Sequence, residues 1–263
     1  MNATEPLLLS ALEGGVLRLT LNRPRQRNAL SSVLMAELQA ALDGAPAEAR
    51  VIVIAANGPV FSSGHDLKEM SGCRADADKG QAKFAALFTQ CSALMQSVVR
   101  HPLLIIAEVQ GLATAAGCQL VASCDLAVAS ANAYFATPGV DIGLFCSTPM
   151  VALSRNLSNK AAMHMLLTGE PVSADEAKAL GLVNTVVGIQ FLTETAMSLA
   201  AKIAAKPRAT VKTGKEAFYH QREMPLAQAY DYATQLMTEN MLAAEAEEGI
   251  CAFIKKREPK WPE

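Results

Sequence analysis

The sequence predicts an α/β fold, in which buried parallel strands alternate with helices. Two continuous apolar runs, VIVIAA at 51–56 and LLIIAEV at 103–109, are typical of strands that are buried on both faces of a parallel sheet. Segments with helical spacing of apolar residues alternate with such runs, notably at 80–100 and 158–167. With 263 residues, and about 100–200 residues in a usual domain, the chain forms one large domain or two small ones.

Composition and charge restrict the classes of protein to which the chain can belong. Hydrophobic residues make up 51% of the chain and charged residues 18%, which excludes a disordered protein. A formal net charge of −2 provides no positive field that would hold a nucleic-acid backbone. The longest apolar runs are far shorter than the ~20 residues that span a bilayer, so no membrane helix is expected.

The first residues and the cysteines bear on location and metal binding. The start, MNATEPLLLSALEGG, has no basic n-region and lacks the Arg-rich character of a transit peptide, so we expect a cytoplasmic protein. The six cysteines form no CxxC pair, and none lies at metal-ligand spacing with the four histidines. We therefore expect free thiols in a reducing compartment and no metal site.

The first elements along the chain are a strand and a helix. In VLRLTL, at 16–21, leucines alternate with polar residues, which predicts a half-buried strand. The segment NRPRQRN then turns the chain. From Leu30 the apolar residues recur at helical spacing, with Ser31 or Ser32 as N-cap and Gly44 just past the end. This pattern predicts a helix of about three turns.

Further strands and a short helix follow in the second half of the core. The apolar segments at 125–129 and 183–187 repeat the pattern of a buried strand. Between them, Ser173 and Glu176 form a capping-box sequence that opens a short helix, and Gly181 ends it.

After about residue 188 the strand signals stop and two helical stripes begin. The stripes consist of Leu192, Ala196, Leu199 and Ile203, and of Leu226, Tyr230, Ala233, Met237 and Met241. We therefore predict an α/β core over 1–188 and a helical region over 189–263. No low-complexity linker separates the two, so the helical region is expected to pack on the core or on a neighbouring subunit.

Two loops of small residues each follow a buried strand and lead into a helix: FSSGHD at 61–66 and QGLATAAG at 110–117. Small residues let a ligand approach the backbone, and the first amides of a helix have no intrahelical partner, so such loops can hold an oxyanion. The alternative is a pair of tight turns with ordinary helix starts. Asp66 and Glu69 support it, because they form a D-x-x-E capping box that needs no ligand.

Four ordered motifs carry a resemblance to a known family. LNRPRQRNAL, FSSGHDLKEM, QGLATAAGCQLVASCDLAVAS and LLTGEPVSADEAKALGLVNTVV resemble the enoyl-CoA hydratase/isomerase (crotonase) family, and the resemblance covers nearly the whole chain. Within it, FSSGHDL, AAGCQLVASCD and ATPG are most similar to the enoyl-CoA hydratase domain-containing type. The resemblance implies a spiral of ββα units with C-terminal helices, assembled as homotrimers or dimers of trimers.

The resemblance also implies a ligand and an activity. The ligands are acyl-CoA thioesters in fatty-acid metabolism, with coenzyme A entering as part of the substrate and no separate cofactor. The family's oxyanion hole uses two backbone amides, which correspond to those of His65 and Ala116. Their N–H groups would stabilise the enolate-like carbonyl oxygen of the transition state.

Anchoring of coenzyme A is likewise implied by the resemblance. The residues that correspond to the family's anchoring positions are Arg25, Ala29, Leu30, His65, Asp66, Leu67, Lys68, Phe253 and Lys256, the last two contributed either by the same chain or by a neighbouring subunit. Independently, Arg23, Arg25 and Arg27 form a cationic cluster that suits phosphate, although a solvated basic turn explains them equally well.

The sequence departs from the family at the two glutamates that its hydratases use. Gln119 and Gly139 occupy these positions, and neither can exchange a proton near neutral pH. The candidates for a replacement group are Asp141, the side chain of His65 and the thiol of Cys146. Each also has a structural explanation: a surface or capping carboxylate, a solvent-facing or structural histidine, and a lone thiol without an activating base.

Three functions therefore stay open at the level of sequence. The first is an enoyl-CoA hydratase, a lyase that stabilises a thioester enolate in an oxyanion hole. The second is other enolate chemistry, such as acyl-CoA decarboxylation or isomerisation, which needs the oxyanion hole but not the glutamate pair. The third is an acyl-CoA-binding or regulatory protein that has lost the proton-transfer groups.

Overall fold

A computed structural model of the chain describes residues 5–262. Residues 1–4, at the start of both the predicted core and the segment used to predict location, lie outside the described residues, as does residue 263. Within the described part, ten strands and eleven α-helices alternate along the chain. The predicted α/β class is confirmed.

The larger sheet has six strands. In spatial order they are β1 (Leu8–Glu13), β2 (Val16–Leu21), β3 (Val51–Ala56), β5 (Leu104–Val109), β7 (Leu126–Ser130) and β10 (Thr185–Val187). β1 pairs antiparallel with β2, and all other pairs are parallel. All five predicted strands lie in this sheet and follow one another in chain order: 16–21, 51–56, 103–109, 125–129 and 183–187.

The smaller sheet has four short strands. In spatial order they are β4 (Val60–Ser62), β6 (Leu112–Thr114), β8 (Tyr134–Ala136) and β9 (Val172–Ser173). Each of β3, β5 and β7 is followed directly by β4, β6 or β8, so successive units place one strand in each sheet before a helix begins. This is the spiral of ββα units that the resemblance implies.

Helices separate and cover these strands. Their bounds are α1 (Ser32–Asp43), α2 (Leu67–Gly72), α3 (Gln81–Arg100), α4 (Ala116–Ser123), α5 (Ser147–Asn156), α6 (Asn159–Thr168), α7 (Ala174–Leu180), α8 (Leu192–Ala204), α9 (Arg208–Gln221), α10 (Leu226–Met241) and α11 (Ala244–Ile254). The predicted caps are present: Ser31 caps α1, and Ser173 with Glu176 forms a complete capping box on α7. No helix among residues 5–262 is long and apolar enough to cross a membrane.

Strand β2 is more buried than the predicted half-buried strand. Leu17, Leu19 and Leu21 enter the main core, while Val16 enters a second apolar cluster on the opposite face of the sheet. α8 supplies Leu192, Ala196 and Ala200 to this second cluster, because it packs across β2, β3, β5 and β7. The first helix of the predicted helical region therefore belongs to the core rather than to a separate layer.

A buried ion pair fastens α9 to the end of the larger sheet. The Lys215 Nζ donates to Oδ2 of Asp125 at 2.7 Å, to the Leu103 carbonyl at 2.9 Å and to the Val98 carbonyl at 3.3 Å. The hydroxyl of Tyr219 donates to the other carboxylate oxygen of Asp125 at 2.9 Å. Because every donor and acceptor of the pair is engaged, the ion pair is a structural anchor.

Candidate active site

Two glycines bring loop 61–66 against the start of α4. A Cβ added to Gly64 would lie 2.8 Å from the Cβ of Ala115 and 3.2 Å from the amide nitrogen of Ala116. A Cβ added to Gly117 would overlap the carbonyl oxygen of Ser62 and lie 2.7 Å from the Ser62 Cβ. Only glycine allows this approach, so the small residues singled out in the sequence hold the two predicted loops in contact.

Backbone hydrogen bonds fix both loops. Leu30 N–H donates to the Gly64 carbonyl at 2.8 Å, and Ala115 N–H donates to the Ala136 carbonyl at 2.9 Å. Ala115 itself has φ 49° and ψ −120°, a conformation that L-residues rarely adopt and that costs about 1–3 kcal/mol. The surrounding structure holds this turn, which aims the next amide, that of Ala116, away from the helix.

The amides of His65 and Ala116 are free to donate. Within residues 5–262 neither N–H has a hydrogen-bond acceptor, although both lie where loop 61–66 meets the first turn of α4. All eight residues of α4 are buried, so the positive end of its dipole acts in a site with little water. Two preorganised donors in such a setting can stabilise an oxyanion.

The imidazole of His65 lies beside these amides and has no partner of its own. It packs edge-on against Phe88 of α3, with ring centroids 5.4 Å apart. Both ring nitrogens are buried, and neither has a hydrogen-bond partner within residues 5–262. Burial lowers the pKa of His65, although the nearby Leu30 carbonyl and, to a smaller extent, the Glu69 carboxylate oppose the shift. The neutral imidazole is therefore the form present at pH 7.

The predicted D-x-x-E capping box is only half formed. The Asp66 carboxylate caps α2 by accepting from the amides of Lys68 at 3.1 Å and Glu69 at 3.4 Å. The Glu69 side chain does not return to the cap: it accepts from the amide of Ser32 at 3.1 Å and from its hydroxyl at 2.5 Å. Glu69 thus ties α2 to the start of α1, which stabilises the loop that carries His65.

Of the three clustered arginines, Arg23 has a structural role. It donates to Asp66 at 3.2 Å and to the Ala29 carbonyl at 2.7 Å, while Arg25 and Arg27 are exposed. Burial alone would raise the pKa of Asp66, but hydrogen bonds from Arg23 and from two backbone amides outweigh it and lower the pKa. The predicted cluster is therefore divided, and Arg25 and Arg27 are the members available to a phosphate.

The remaining residues predicted to anchor coenzyme A lie in two regions. Ala29 and Leu30 are buried beside loop 61–66, with both amides already donating within the protein, whereas Leu67 and Lys68 are exposed at the start of α2. Phe253 and Lys256 lie at the far end of the chain, on and just after α11, which packs on α10. Phe253 is 84% exposed. Contact of any of these residues with coenzyme A stays a prediction.

Gln119 lies one turn into α4, below the free amide of Ala116. It is buried, and its Oε1 lies 4.0 Å from the thiol of Cys91 on α3. Burial raises the pKa of this thiol to about 11, so Cys91 is protonated at neutral pH. The amide of Gln119 is therefore surrounded by groups that cannot accept a proton.

At Gly139 no side chain fits. The residue does not have a positive φ angle, yet an added Cβ would lie 2.7 Å from the Leu144 carbonyl oxygen and 2.9 Å from the thiol of Cys146. The turn 138–146 therefore packs closely against Gly139. Burial raises the pKa of Cys146, which makes its thiol a poor replacement.

Asp141 is exposed on the short 3₁₀ helix Pro138–Ile142, with Oδ2 near Gly169 at the end of α6. This placement fits a surface carboxylate, and a catalytic role for Asp141 stays a prediction.

Comparison with known proteins identifies the family. The family model described as enoyl-CoA hydratase/isomerase matches residues 11–263. The chain belongs to the enoyl-CoA hydratase/isomerase family. It is 48% identical over 261 residues to enoyl-CoA hydratase domain-containing protein 3, mitochondrial, of Rattus norvegicus, covering 98% of this chain and 85% of the relative. It is 33% identical to 2,3-dehydroadipyl-CoA hydratase of Escherichia coli (strain K12), covering 96% and 97% of the two chains.

Solved structures of family members show the same fold. The crystal structure of an enoyl-CoA hydratase of Mycobacterium smegmatis superposes with a TM-score of 0.93 at 50% identity, covering 98% of this chain and 99% of that one. The human enoyl-CoA hydratase domain-containing protein 3 superposes with a TM-score of 0.92 at 45% identity, covering 97% and 100%. The crotonase fold and the similarity to the domain-containing type are thereby confirmed.

The expected cytoplasmic location is wrong by the same comparison. The vertebrate relatives, at 44–48% identity, are named as mitochondrial proteins. The expectation was based on the first 15 residues of this chain. The chain covers about 85% of the length of these relatives, which also contain residues outside the aligned part.

Sequence reasoning missed the residues of α3 that line the site. Phe88 contacts the His65 ring, and Cys91 contacts Gln119. The only signal was their spacing of three residues, which places both on one face of a helix. That spacing cannot show which loops the face contacts.

Proposed function

We propose that this protein is an acyl-CoA enzyme that stabilises a thioester enolate between the amides of His65 and Ala116. One observation carries the proposal: the two N–H groups lie on adjoining loops, and neither donates to any acceptor within residues 5–262. Buried amides are almost always paired, so two unpaired amides side by side indicate a ligand oxygen. Family membership supports an acyl-CoA thioester as that ligand.

The mechanism follows from where negative charge develops. When a proton leaves the α-carbon, the carbonyl oxygen of the thioester takes on the charge and the two amides stabilise it by about 3–4 kcal/mol each, by analogy with other oxyanion holes. Ala116 begins α4, so the helix dipole strengthens its donor. The carboxamide of Gln119 cannot take part in proton transfer, and Gly139 has no side chain that could do so.

Hydration of an enoyl thioester is consequently disfavoured among the reactions of the family. Addition of water to an enoyl thioester needs an acid and a base, and each contributes ~10²–10⁴-fold. We expect slow hydration of crotonyl-CoA, because Gln119 can orient water without accepting its proton. Enolate reactions that need no such pair, isomerisation and decarboxylation, are favoured over hydration.

The second candidate is an acyl-CoA-binding protein without catalysis. The crowding at Gly139 favours it, since this position has no room for a side chain that could exchange a proton. Both candidates share the ligand, and coenzyme A would be held by the anchoring residues named above.

We also propose self-association, as a homotrimer or a dimer of trimers. The C-terminal helices support it, because they leave apolar side chains exposed: Leu226, Tyr230, Met237, Leu242, Phe253 and Ile254 are 63–84% exposed. A patch of this kind marks an interface in a soluble protein. Sedimentation at several protein concentrations measures the assembly, and a monomer at micromolar concentration would contradict it.

Isotope exchange tests the proposed function. The protein is incubated with butyryl-CoA in D₂O, and deuterium at the α-carbon is followed by mass spectrometry. Calorimetry on the same sample measures binding. Binding with exchange supports the enzyme, and binding without exchange supports the second candidate. Absence of binding at millimolar butyryl-CoA would refute both.

A further inference from the structure

We infer that the imidazole of His65 is the base that removes the α-proton of the bound thioester, an assignment that rests on the proposed function. In this step the C–H bond breaks and an imidazole nitrogen binds the proton. The electron pair of that bond forms the enolate double bond, and the carbonyl π pair moves to the oxygen held by the two amides. The imidazolium then returns a proton to the carbon, so no oxidant, reductant or co-reactant is consumed.

The state of its two nitrogens sets His65 apart from other titratable groups near the amides. Both are buried and unpaired, whereas the carboxylate of Glu69 is held by Ser32 and that of Asp66 by Arg23. Leaving buried polar atoms without hydrogen-bond partners destabilises the folded protein. A ligand that brings a proton to one of these nitrogens would satisfy it. In the proposed reaction this proton is the acidic α-proton of the bound thioester.

Reach favours His65 as well. The residue proposed to bind the thioester oxygen through its amide also carries the imidazole, so one residue would serve both the oxygen and the neighbouring α-carbon. The ring packs on Phe88, and neither of its nitrogens makes a well-formed hydrogen bond that would hold it in place. On α3, Phe88 and Cys91 lie one turn apart and contact His65 and Gln119, so the ring and Gln119 border one space.

The other replacement candidates are eliminated by position or protonation. Asp141 is exposed beside Gly169, away from the free amides. Burial raises the pKa of the thiols of Cys146 and Cys91, which keeps both protonated. Gln119 cannot accept a proton. His65 is the group at this site whose ordinary titration range lies near neutral pH.

The charged groups around His65 set the pH at which it acts. Burial lowers the pKa of His65, and the Leu30 carbonyl and Glu69 of α2 oppose the shift. The Arg23 and Asp66 side chains on the adjoining loops neutralise each other, and Cys91 on α3 is uncharged. The exchange rate is therefore expected to be constant above neutral pH and to fall in acid, at pH values below the ordinary titration range of histidine, as the imidazole becomes protonated.

The test compares His65→Gln with wild-type protein in the butyryl-CoA exchange assay. Both keep the backbone amide at position 65, so the oxyanion hole is intact. We expect exchange to fall at least ~100-fold in the variant, the size of one base contribution, while the dissociation constant changes less than threefold. The acid limb of the pH profile should vanish. His164→Gln, at an exposed histidine on α6, is the matched control and should exchange like wild type.

A second variant guards against a purely structural effect. His65→Ala leaves space for free imidazole. Added imidazole should raise the exchange rate of this variant at least tenfold, which a misfolded site would not allow. Exchange by His65→Gln within threefold of wild type would overturn the assignment while leaving the proposed function intact. A wild-type protein that binds butyryl-CoA without exchange would overturn both.

Discussion

Substitution of Gly117 by alanine tests whether the contact between the two loops positions the oxyanion hole. The added Cβ would lie 2.7 Å from the Cβ and 2.9 Å from the hydroxyl of Ser62, whereas carbon atoms in contact are normally about 3.5–4.0 Å apart. Loop 61–66 must then move by about 1 Å, and His65 N–H moves with it. A misplacement of this size costs about 100-fold in rate.

The assay is α-deuterium exchange into butyryl-CoA, with calorimetry and urea unfolding on the same samples. We expect Gly117→Ala to exchange about 100-fold more slowly than wild type and to bind the ligand nearly as well. Crowding by the added Cβ should lower the free energy of unfolding by about 1–3 kcal/mol, while the higher helix propensity of alanine raises it by up to about 1 kcal/mol. The variant should therefore stay folded. Gly214→Ala in α9 is the control, because its Cβ would meet nothing within 4 Å. Equal exchange by Gly117→Ala and Gly214→Ala would refute the reasoning.

Three further predictions concern other residues. Gln119→Glu should raise crotonyl-CoA hydration at least tenfold, since a base contributes ~10²–10⁴-fold; an unchanged rate by absorbance assay would contradict this. Lys215→Met should lower the free energy of unfolding by about 3–5 kcal/mol in urea, because it leaves the Asp125 charge buried, and adding Asp125→Leu should recover part of the loss; a single-variant loss under about 1 kcal/mol would exclude a buried pair. Asp66→Asn keeps the cap but loses the Arg23 ion pair. The pKa of Asp66 is lower in the folded protein than in the unfolded chain, so its ionised carboxylate stabilises the folded state above the unfolded pKa of about 3.9. This stabilisation is lost as the pH falls below about 4, and the difference in melting temperature between wild type and the variant should shrink there. A difference that does not change with pH would contradict the ion pair.

The long elements could be predicted from sequence because each satisfies its own periodicity. The predicted segments 51–56 and 80–100 agree with β3 and α3 to within one residue. The strands of the smaller sheet have only two or three residues, too few to show a period of two. β1 was missed although the Gly14-Gly15 turn, with both φ angles positive, is a typical hairpin connection.

The candidate site was predictable in its backbone and not in its side-chain contacts. Glycines and a helix start fix where the free amides lie, and both signals are local in sequence. The partners of Glu69 and Gln119 are on α1 and α3, so they depend on tertiary packing. Gly139 shows the same limit: its sequence position indicates a missing glutamate, whereas only the structure shows that Leu144 and Cys146 leave no room for a Cβ there.

The buried ion pair between Lys215 and Asp125 has a consequence for how the chain can be shortened. Asp125 precedes β7, which lies between β5 and β10 in the larger sheet, and its carboxylate is held by Lys215 and Tyr219 of α9. A chain that ended after α8, at residue 204, would keep both apolar clusters but leave this carboxylate stranded without its cation. The anchoring of β7 therefore depends on α9, so this helix contributes to the stability of a single protomer in addition to any role in assembly.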